Sequence, residues 1–361
     1  MDYPARQKKI REHLAAARVD FLLANHLPSI RYLCGFTGSA GFLLVEDSRC
    51  TFFTDVRYDT QAHNEVQDAK VVIARKNVLQ AVGEWIRLRN RGRRRQLGIE
   101  TDHLSVAERE RLADIIPSGT KLKNTQGMVE KVRMVKDEDE LERIRAAVQM
   151  GAGLFGRALE TIRPGIREVE VAAEMEYAAR IAGAEGMSFP TIIASGERSA
   201  LPHGRASTHA IPPRAFVVCD FGVILADYCS DQTRSVWVGH ATDEARNAYE
   251  AVREAQQAAV ESVRPGATVE QVDRAARTVL RKAGLGSYFT HSTGHGVGLE
   301  IHEAPRVATG QKDVLQPGMV ITIEPGIYFP GKWGIRIEDM VAVTQTGCEI
   351  MTPTSKSFLA V

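Results

Sequence analysis

A duplicated stretch in the second part of the chain constrains its fold more than any other feature of the sequence. The strings IRPG at 162–165 and VRPG at 263–266 each open an amphipathic helical pattern, ending near Gly183 and near Gly284. At an offset of 101 residues, seven of 21 positions are identical, namely Arg163/Arg264, Pro164/Pro265, Gly165/Gly266, Val171/Val272, Arg180/Arg281, Ala182/Ala283 and Gly183/Gly284. Each copy is followed by sequence typical of β-strands. We therefore predict two related half-domains, each with helices followed by a hairpin.

The rest of the chain is long enough for a second domain, since the sequence has 361 residues. The first part alternates patterns typical of strands (Asp20–Ala24, Ile30–Cys34, Gly41–Val45, Cys50–Thr54, Lys70–Ala74) and of helices (Ala5–Ala17, Val78–Arg89, Ser105–Ile115). The acidic residues 137–139 favour the start of a long helix, because the helix dipole stabilises negative charge there. We predict an α/β (α+β) protein with a mixed α/β domain at 1–125, a linker at 126–137 and a second domain at 138–361.

Each predicted hairpin carries a pair of acidic residues. Asp220 and Asp231 face each other across the strands if the chain reverses at Leu225–Ala226, and Glu324 and Glu338 are centred on the turn sequence Pro-Gly-Lys. Apolar residues flank the acids at every position except Asp231, so we expect the four carboxylates to be buried together. Such carboxylates repel one another unless protons or cations neutralise them. Two divalent cations would bring the fixed charge close to zero.

Histidines cluster beside these acidic strands. His291, His295 and His302 lie within twelve residues, and His203 precedes Asp220 by 17 residues. A ligand set of carboxylates with one or two imidazoles suits manganese, cobalt, zinc or iron, and a carboxylate-rich site favours manganese. Two such ions bridged by carboxylates can activate a shared water and polarise a carbonyl, which is the chemistry of hydrolysis. The sequence contains no GxSxG, Walker A or HExxH motif for a competing chemistry.

Five motifs follow one another in the second part: LPHG, CDFGVILADYCSDQTRSV, HSTGHGVGLEIHEAP, GMVITIEPGIYFPG and GIRIEDMVAVT. Together they resemble the motifs of the Xaa-Pro peptidases, the aminopeptidase P and prolidase branch of the pita-bread metallopeptidases. The segments YLCGFTGSAGFLLV and TDVRYDTQA resemble the creatinase-type N-terminal domain of the same proteins. The resemblance implies a C-terminal pita-bread fold with an internal pseudo-two-fold repeat, preceded by a smaller mixed α/β domain.

The resemblance also implies a ligand set for two divalent cations: Asp220, Asp231, His295, Glu324 and Glu338. Asp231 and Glu338 would bridge the two ions. All five positions hold the expected residue type, which matters because creatinase shares the fold and lacks the metal site. Mn²⁺ is the first expectation for the cofactor, with Co²⁺ or Zn²⁺ as alternatives.

Further residues are implied to act on the substrate. A hydroxide that bridges the metals would attack the carbonyl before proline, and Glu324 would pass a proton to the leaving nitrogen. His203 and His302 would bind the substrate carbonyl. His291 would lie just outside the ligands, and Arg336 would support them beside Glu338.

These observations predict a metallopeptidase of the Xaa-Pro aminopeptidase or Xaa-Pro dipeptidase type, whose substrates are peptides with proline at the second position. A methionine aminopeptidase-like general aminopeptidase is one alternative, although the 125-residue N-terminal domain speaks against it. A catalytically silent binding or scaffold relative is another, although such relatives typically lose ligands. The sequence leaves dipeptides and longer peptides open as substrates, and the family implies a homodimer.

Charge and cysteine content bound the partners and the compartment. Lys plus Arg number 46 and Asp plus Glu 45, so the net charge of +1 gives no general attraction to nucleic acid. The arginine-rich segment Arg87–Arg95 lacks interleaved aromatic residues and predicts a solvated helix end. No apolar run suits a membrane span, and the N-terminus lacks the apolar core of a secretory signal. With five scattered cysteines and no CxxC, we predict a cytoplasmic protein without nucleic-acid or membrane partners.

Overall fold

The computed structural model describes residues 1–90 and 94–361. The chain separates into two compact units, Met1–Arg133 and Met134–Val361. Within the arginine-rich segment, Arg91 and Arg93 lie outside the described residues. None of the described helices has the length and apolar character needed to cross a membrane.

The first unit is built on a six-stranded sheet. Its strands are β1 (Phe21–Ala24), β2 (Phe42–Val45), β3 (Cys50–Asp55), β4 (Lys70–Ala74), β5 (Arg95–Ile99) and β6 (Thr120–Asn124), in the order β4-β3-β2-β1-β5-β6. The helices are α1 (Tyr3–Ala16), α2 (Leu27–Cys34), α3 (Asp59–Glu65), α4 (Val78–Asn90), α5 (Val106–Ile115) and α6 (Met128–Arg133). The sheet is mixed, because β2 pairs antiparallel with β1 and β3 whereas β5 pairs parallel with β1 and β6.

One predicted strand in this unit is wrong. Residues Ile30–Cys34 form the second half of helix α2, which has Pro28 in its first turn. The helix ends at Gly35, whose φ of +82° and N–H bond to the Arg31 carbonyl, at 2.9 Å, are typical of a helix C-terminus. A short apolar run fits a buried strand and a buried helix equally well, and the flanking Pro28 and Gly35 decide the outcome here.

The remaining elements predicted for the first unit are confirmed within two residues. Strands β5 and β6 and the short helices α3 and α6 were not predicted. Helix α6 lies within the segment 126–137 that the sequence assigns to a linker.

The second unit contains four long helices and thirteen short strands. The helices are α7 (Glu138–Thr161), α8 (Glu168–Ile181), α9 (Asp243–Ser262) and α10 (Val269–Lys282). The strands are β7 (Gly186–Met187), β8 (Ile192–Ser195), β9 (Ala215–Phe221), β10 (Val223–Leu225), β11 (Tyr228–Cys229), β12 (Gln232–Val238), β13 (Gly294–Gly296), β14 (Glu303–Val307), β15 (Val320–Ile323), β16 (Gly326–Phe329), β17 (Trp333–Arg336), β18 (Asp339–Val343) and β19 (Cys348–Ile350). They form sheets β11-β10-β7, β12-β9-β8 and β14-β13-β15-β18-β19, together with the hairpin β16-β17.

The two copies of the duplicated stretch fold alike. Gly165 and Gly266 have φ values of +87° and +82°, which the left-handed region allows most readily to glycine. Each donates its N–H over 2.9 Å to a later carbonyl, that of Ile211 in the first copy and that of Leu315 in the second. Helix α8 then packs on α7, as α10 packs on α9. The predicted repeat of helices followed by strands is confirmed.

Helix α7 begins where the acidic residues predicted it. The Asp137 side chain caps the helix by accepting a hydrogen bond from the N–H of Glu140 at 3.0 Å. The Glu140 carboxylate in turn accepts one from the N–H of Asp137. Glu140 also accepts a hydrogen bond from the buried hydroxyl of Tyr228 at 3.0 Å. The start of the helix thereby fixes the hairpin β10–β11.

The predicted register of the first acidic pair is wrong by two residues. Asp220 lies opposite Thr233 in the β9–β12 ladder, not opposite Asp231. The chain reverses at Ala226 and Asp227, whose φ values of +46° and +77° are those of a two-residue hairpin turn. Asp231 precedes Thr233 by two residues and is therefore a diagonal neighbour of Asp220 on the same face.

The predicted register of the second acidic pair is confirmed. Ile323 pairs with Asp339 in the β15–β18 ladder, and Gly326 pairs with Arg336 in the β16–β17 ladder. Between these two ladders the same register places Glu324 opposite Glu338. Both glutamates therefore lie at the break between the five-stranded sheet and the hairpin.

Candidate metal centre

A cavity of about 650 Å³ in the second unit is lined by every site residue that the sequence predicts. These residues are His203, Asp220, Asp231, His291, His295, His302, Glu324, Arg336 and Glu338. Strands of two of the sheets and of the hairpin supply Asp220, His295 and Arg336, and the segments between strands supply the other six. The fold thus brings the predicted residues together at one place.

Two glycines allow the strands to close around His295, which is the middle residue of β13. A Cβ at Gly294 would lie 1.9 Å from the Thr322 carbonyl oxygen, and a Cβ at Gly296 would lie 2.2 Å from that of Ala304. No side chain tolerates such distances, so the glycines on either side of His295 are required by the packing of backbone on backbone.

The imidazole of His295 points its Nε2 at the acids. Its Nδ1 donates to the Gly296 carbonyl at 2.9 Å, which fixes the tautomer with a free Nε2. Nε2 lies 3.6 Å from Asp231 Oδ2 and 3.7 Å from Glu324 Oε1. Asp231, His295 and Glu338 each offer one ligand atom, and these three atoms lie within 4.8 Å of one another. This is the spacing at which one ion can contact all three.

The buried acids resist ionisation in the absence of a cation. Burial, followed by repulsion from neighbouring carboxylates, raises the pKa of Asp231 and of Glu338 well above their usual range. Burial likewise raises the pKa of Asp220, and that of Glu324 to about 7. Burial is also the main cause that lowers the pKa of His295 to about 4, which keeps its imidazole neutral and able to bind a metal.

Two carboxylate oxygens also indicate that the site binds cations. Asp220 Oδ1 and Asp231 Oδ1 are buried and have no hydrogen-bond partner among the residues that the structure describes. Buried oxygens without partners are costly, and divalent cations supply the missing interaction. The donor set of four carboxylates and one imidazole fits such ions.

Arg336 connects the acids to their surroundings. Its guanidinium donates to Asp220 Oδ2 at 2.6 Å, to Thr233 Oγ1 at 3.0 Å and to the Tyr328 hydroxyl at 2.7 Å. Thr233 in turn donates to Glu338 Oε2 at 2.7 Å. Arg336 therefore contacts Asp220 directly and reaches Glu338 only through Thr233.

The histidines occupy two different environments. His291 Nδ1 bonds the Ser292 carbonyl at 2.8 Å, and its Nε2 lies 2.9 Å from the Tyr328 hydroxyl. Burial and the nearby Arg336 lower the pKa of His291 to about 4, so its neutral ring accepts a hydrogen bond from the Tyr328 hydroxyl. His203 and His302 are instead exposed in the cavity, where the His302 ring lies 4.4 Å from that of His295.

Sequence reasoning missed several residues of the cavity. Arg205 and Arg306 place two cations on its wall, and Phe189, Pro190 and Ile192 give it an apolar side. Both arginines follow predicted histidines closely, Arg205 by two residues and Arg306 by four. That proximity is the signal that would have found them.

Known proteins are similar to this chain along its whole length. Residues 142–345 match the model of metallopeptidase family M24, and residues 6–135 match that of the creatinase/prolidase N-terminal domain. The Xaa-Pro dipeptidase of Pyrococcus horikoshii is 36% identical over 98% of both chains. The structure of the Xaa-Pro dipeptidase from Bacillus anthracis is 38% identical, covers 100% of both chains and has a TM-score of 0.95. That of the X-Pro aminopeptidase from Thermotoga maritima is 35% identical, covers 97% of this chain and 99% of its own, and has a TM-score of 0.89.

Proposed function

Because this chain belongs to metallopeptidase family M24, with a creatinase/prolidase N-terminal domain, we propose that it hydrolyses the bond between a first residue and proline with the help of two divalent metal ions. The observation that carries the proposal is the convergence of three buried carboxylates, the half-buried Glu324 and a neutral imidazole on one cavity. Relatives named Xaa-Pro dipeptidase support the choice of substrate.

Asp220, Asp231, His295, Glu324 and Glu338 would hold the two ions, and Asp231 and Glu338 would serve both of them. When bound, Mn²⁺, or alternatively Co²⁺ or Zn²⁺, supplies an acidic shared water and polarises the scissile carbonyl. The protein's own groups then orient the reaction. Arg336 and Thr233 hold Asp220 and Glu338 in place through the hydrogen bonds described above.

Three further residues have proposed roles at the substrate. The exposed rings of His203 and His302 donate to the substrate carbonyl oxygen and stabilise the negative charge that develops on it. Glu324 moves a proton to the proline nitrogen as it leaves. His291 is a positioning residue, since its Nε2 is engaged by Tyr328, which is itself bound to Arg336.

The cationic wall of the cavity favours dipeptides over longer peptides. In an Xaa-Pro dipeptide the free carboxylate follows proline directly, and guanidinium groups are well suited to bind carboxylates. Arg205 and Arg306 line the cavity that also contains the proposed ligands, while Phe189, Pro190 and Ile192 offer an apolar surface to the proline ring. We therefore propose Xaa-Pro dipeptides as the preferred substrates.

The test compares turnover of Xaa-Pro with that of Xaa-Pro-Yaa-Zaa by metal-stripped protein to which Mn²⁺, Co²⁺ or Zn²⁺ is added. We expect no turnover without metal and faster turnover of the dipeptide with it. Activity that ignores chelators would contradict the metal-dependent mechanism. Cleavage of Met-Ala in preference to Met-Pro would indicate a general aminopeptidase, and absence of both metal and turnover would indicate a silent relative.

A variant pair tests the role of the arginines. Arg306→Met is expected to raise KM for Xaa-Pro about tenfold or more while changing KM for the tetrapeptide less, because only the dipeptide places a carboxylate there. Arg163→Met, at an exposed arginine outside the cavity, is the matched control and should change neither value. Equal effects of Arg306→Met on both substrates would contradict the preference for dipeptides.

A homodimer in the cytoplasm, without nucleic-acid or membrane partners, completes the proposal. Light scattering coupled to size-exclusion chromatography would check the oligomeric state, with twice the mass of 39.7 kDa expected.

A further inference from the structure

A second group of metal-binding side chains lies in the first unit, outside the candidate metal centre. One ring nitrogen of His26, one ring nitrogen of His103 and one carboxylate oxygen of Glu130 all lie within 4.8 Å of one another. Across residues 1–90 and 94–361, one other group has this arrangement, and it is the Asp231, His295 and Glu338 of the candidate metal centre. The geometry that marks the expected metal ligands therefore also marks these three residues.

Three separate segments of the first unit bring the group together. His26 immediately precedes α2, His103 lies in the turn after β5, and Glu130 lies in α6. Glu100 orients both histidines: its carboxylate accepts the His26 N–H at 2.9 Å and its carbonyl accepts the His103 N–H at 3.1 Å. The arrangement of both histidine backbones is thus independent of the contacts between the three side chains.

A further bond holds the third segment against the turn. Gln126 Nε2, two residues before α6, donates to Asp102 Oδ1 at 3.0 Å, which joins the segment leading to Glu130 to the turn that carries His103. Helix α6 also packs against α1 and α2. The backbone therefore presents the three side chains to one another before any ion binds.

The side-chain distances are close to those of a zinc site. The two imidazole rings stack with centroids 3.6 Å apart and planes 3° apart, so their nitrogen lone pairs lie in parallel planes. Glu130 Oε1 is 3.0 Å from His103 Nε2 and 3.9 Å from His26 Nδ1. A tetrahedral ion with bonds of about 2.0–2.1 Å separates its ligand atoms by about 3.3 Å. Because an imidazole binds a metal within its own ring plane, both rings must rotate out of the stack about their Cβ–Cγ bonds before they share one ion.

One oxygen of the group has no interaction that would satisfy it. Glu130 Oε2 is buried and has no hydrogen-bond partner among the described residues. A cation that contacts this oxygen would remove the free-energy cost of burying it without a partner. Two neutral imidazoles and one carboxylate carry a single negative charge, which a divalent ion overcompensates by only one unit.

We propose that His26, His103 and Glu130 form a binding site for one Zn²⁺ ion in the first unit, with water at the fourth position. Two imidazole ligands favour zinc and its transition-metal neighbours over magnesium or calcium, which prefer oxygen ligands alone. The ion would link helix α6 to the start of α2 and to the turn after β5. Bound there, the ion would connect three separate segments of the first unit.

The test counts Zn²⁺ bound to the full-length chain, with Zn²⁺ alone as the probe. The variant Asp231→Asn/Glu338→Gln removes two bridging ligands of the candidate metal centre and is expected to retain one Zn²⁺ per chain after dialysis. Adding His103→Gln, or alternatively Glu130→Gln, is expected to reduce that one equivalent to none. In the otherwise unchanged protein, the same His103→Gln is expected to lower the count from three to two, so the result does not depend on the folding of the double variant.

His63→Gln is the matched control. His63 is an exposed histidine of the same unit that faces one carboxylate, Asp59, at 3.0 Å, without a second imidazole. This substitution should leave the zinc count unchanged.

A second measurement reports on the ligands themselves. Long-range ¹H–¹⁵N spectra should show the ring nitrogens of His26 and His103 shifting on addition of one equivalent of Zn²⁺ to the Asp231→Asn/Glu338→Gln variant. A zinc count that is the same with and without His103→Gln, or ring signals that do not move, would overturn the proposal and leave the stacked histidines as a hydrogen-bonded pair.

Discussion

Arg336 is a buried cation that touches a metal-ligand candidate, a threonine and a tyrosine at the same time. Its bonds to Asp220, Thr233 and Tyr328 use the planar fork of the guanidinium, which also donates to the Pro202 carbonyl at 3.1 Å. A lysine ammonium is a single point and cannot reach all three partners. The position therefore requires arginine and not merely a positive charge.

We expect Arg336→Lys to lower Mn²⁺ affinity and kcat/KM by about 10–100-fold each, because Asp220 and Thr233 lose the group that orients them. Calorimetric titration of Mn²⁺ and turnover of an Xaa-Pro dipeptide provide the two measurements. Arg6→Lys, at a buried arginine of the first unit that donates to the Tyr32 carbonyl at 3.1 Å, is the control and should leave both values unchanged. Unaltered metal affinity in Arg336→Lys would show that the acids do not need this support.

The buried acids predict how the stability of the metal-free protein depends on pH. Because burial raises the pKa values of Asp231, Glu338 and Glu324, the folded chain keeps protons that the unfolded chain releases above about pH 4. Stability is thus fully present below about pH 4 and is lost as pH rises through the folded values, which for Glu324 is about 7. Urea unfolding of stripped protein should show a loss of a few kcal/mol between pH 5 and 8.

Glu338→Gln serves as the control for this titration, since an amide has no proton to lose and should flatten the curve. Saturating Mn²⁺ should remove the decline as well, because the cations neutralise the carboxylates. A metal-free protein of constant stability over this range would mean that the acids are not buried together.

Single residues of the candidate site were the easiest part to predict from the sequence. Acids with apolar neighbours and histidines among glycines are rare enough to stand out, and all of them line the cavity. Tyr328 was missed, because a tyrosine in the apolar run GIYF resembles any core aromatic. Only its position between Arg336 and His291 reveals its role.

At the scale of elements, strand β13 is a tightly constrained part of the site. Its residue Gly294 lies so close to the Thr322 carbonyl of β15 that an added Cβ would be 1.9 Å away. We expect Gly294→Ala to destabilise the protein by about 3 kcal/mol and to abolish metal binding, because the backbone that carries His295 must move. Chemical denaturation and Mn²⁺ titration measure the two effects.

A second glycine-to-alanine substitution provides the contrast. An added Cβ at Gly153, on the exposed side of α7, meets no atom within 4 Å. Alanine there should stabilise the helix by about 0.5–1 kcal/mol. If the two variants behaved alike, the close approach at β13 would not be what restricts position 294.

The errors in predicting elements have one physical origin. Hydrophobic periodicity does not define where a chain turns, as Ile30–Cys34 shows, since Pro28 and Gly35 make that apolar run a helix. The register of Asp220 depended on whether the turn used Leu225–Ala226 or Ala226–Asp227, a difference of one residue that no periodicity resolves. Where a glycine stood at the turn centre, as at Gly331, the register was predicted correctly.

For the whole molecule, the proposed ions join the two halves of the second unit. Asp220 and Asp231 come from the first half, whereas His295, Glu324 and Glu338 come from the second. A chelator should therefore lower the melting temperature by about 5–10 °C, given about 2.7 kcal/mol for a ligand at 100 times its Kd and about 2–4 °C per kcal/mol. Differential scanning calorimetry measures the shift.

Asp231→Asn/Glu338→Gln should show a clearly smaller shift, since it has lost two ligands of the candidate metal centre and keeps at most the Zn²⁺ proposed for the first unit. A chelator that lowers the melting temperature of this variant as much as that of the unchanged chain would place the stabilising ion elsewhere.

The overall architecture could be predicted because the repeat is encoded in loop residues. Gly165 and Gly266, at positive φ, leave a signature in the sequence that apolar helix faces do not. The way the second unit divides its strands among separate sheets could not be predicted, since several of them, such as β7 and β11, have only two residues. Strands this short depend on their partners and have no pattern of their own.

The matching hydrogen bonds of Gly165 and Gly266 bear on the origin of the second unit. They point to duplication of a segment about half as long as this unit, with one helix pair and one set of strands. Today one copy contributes two aspartates and the other a histidine and two glutamates, so the copies have specialised since they were joined. A single copy would have supplied only part of the ligand set. It would have had to form a dimer with a second copy before it could surround an ion.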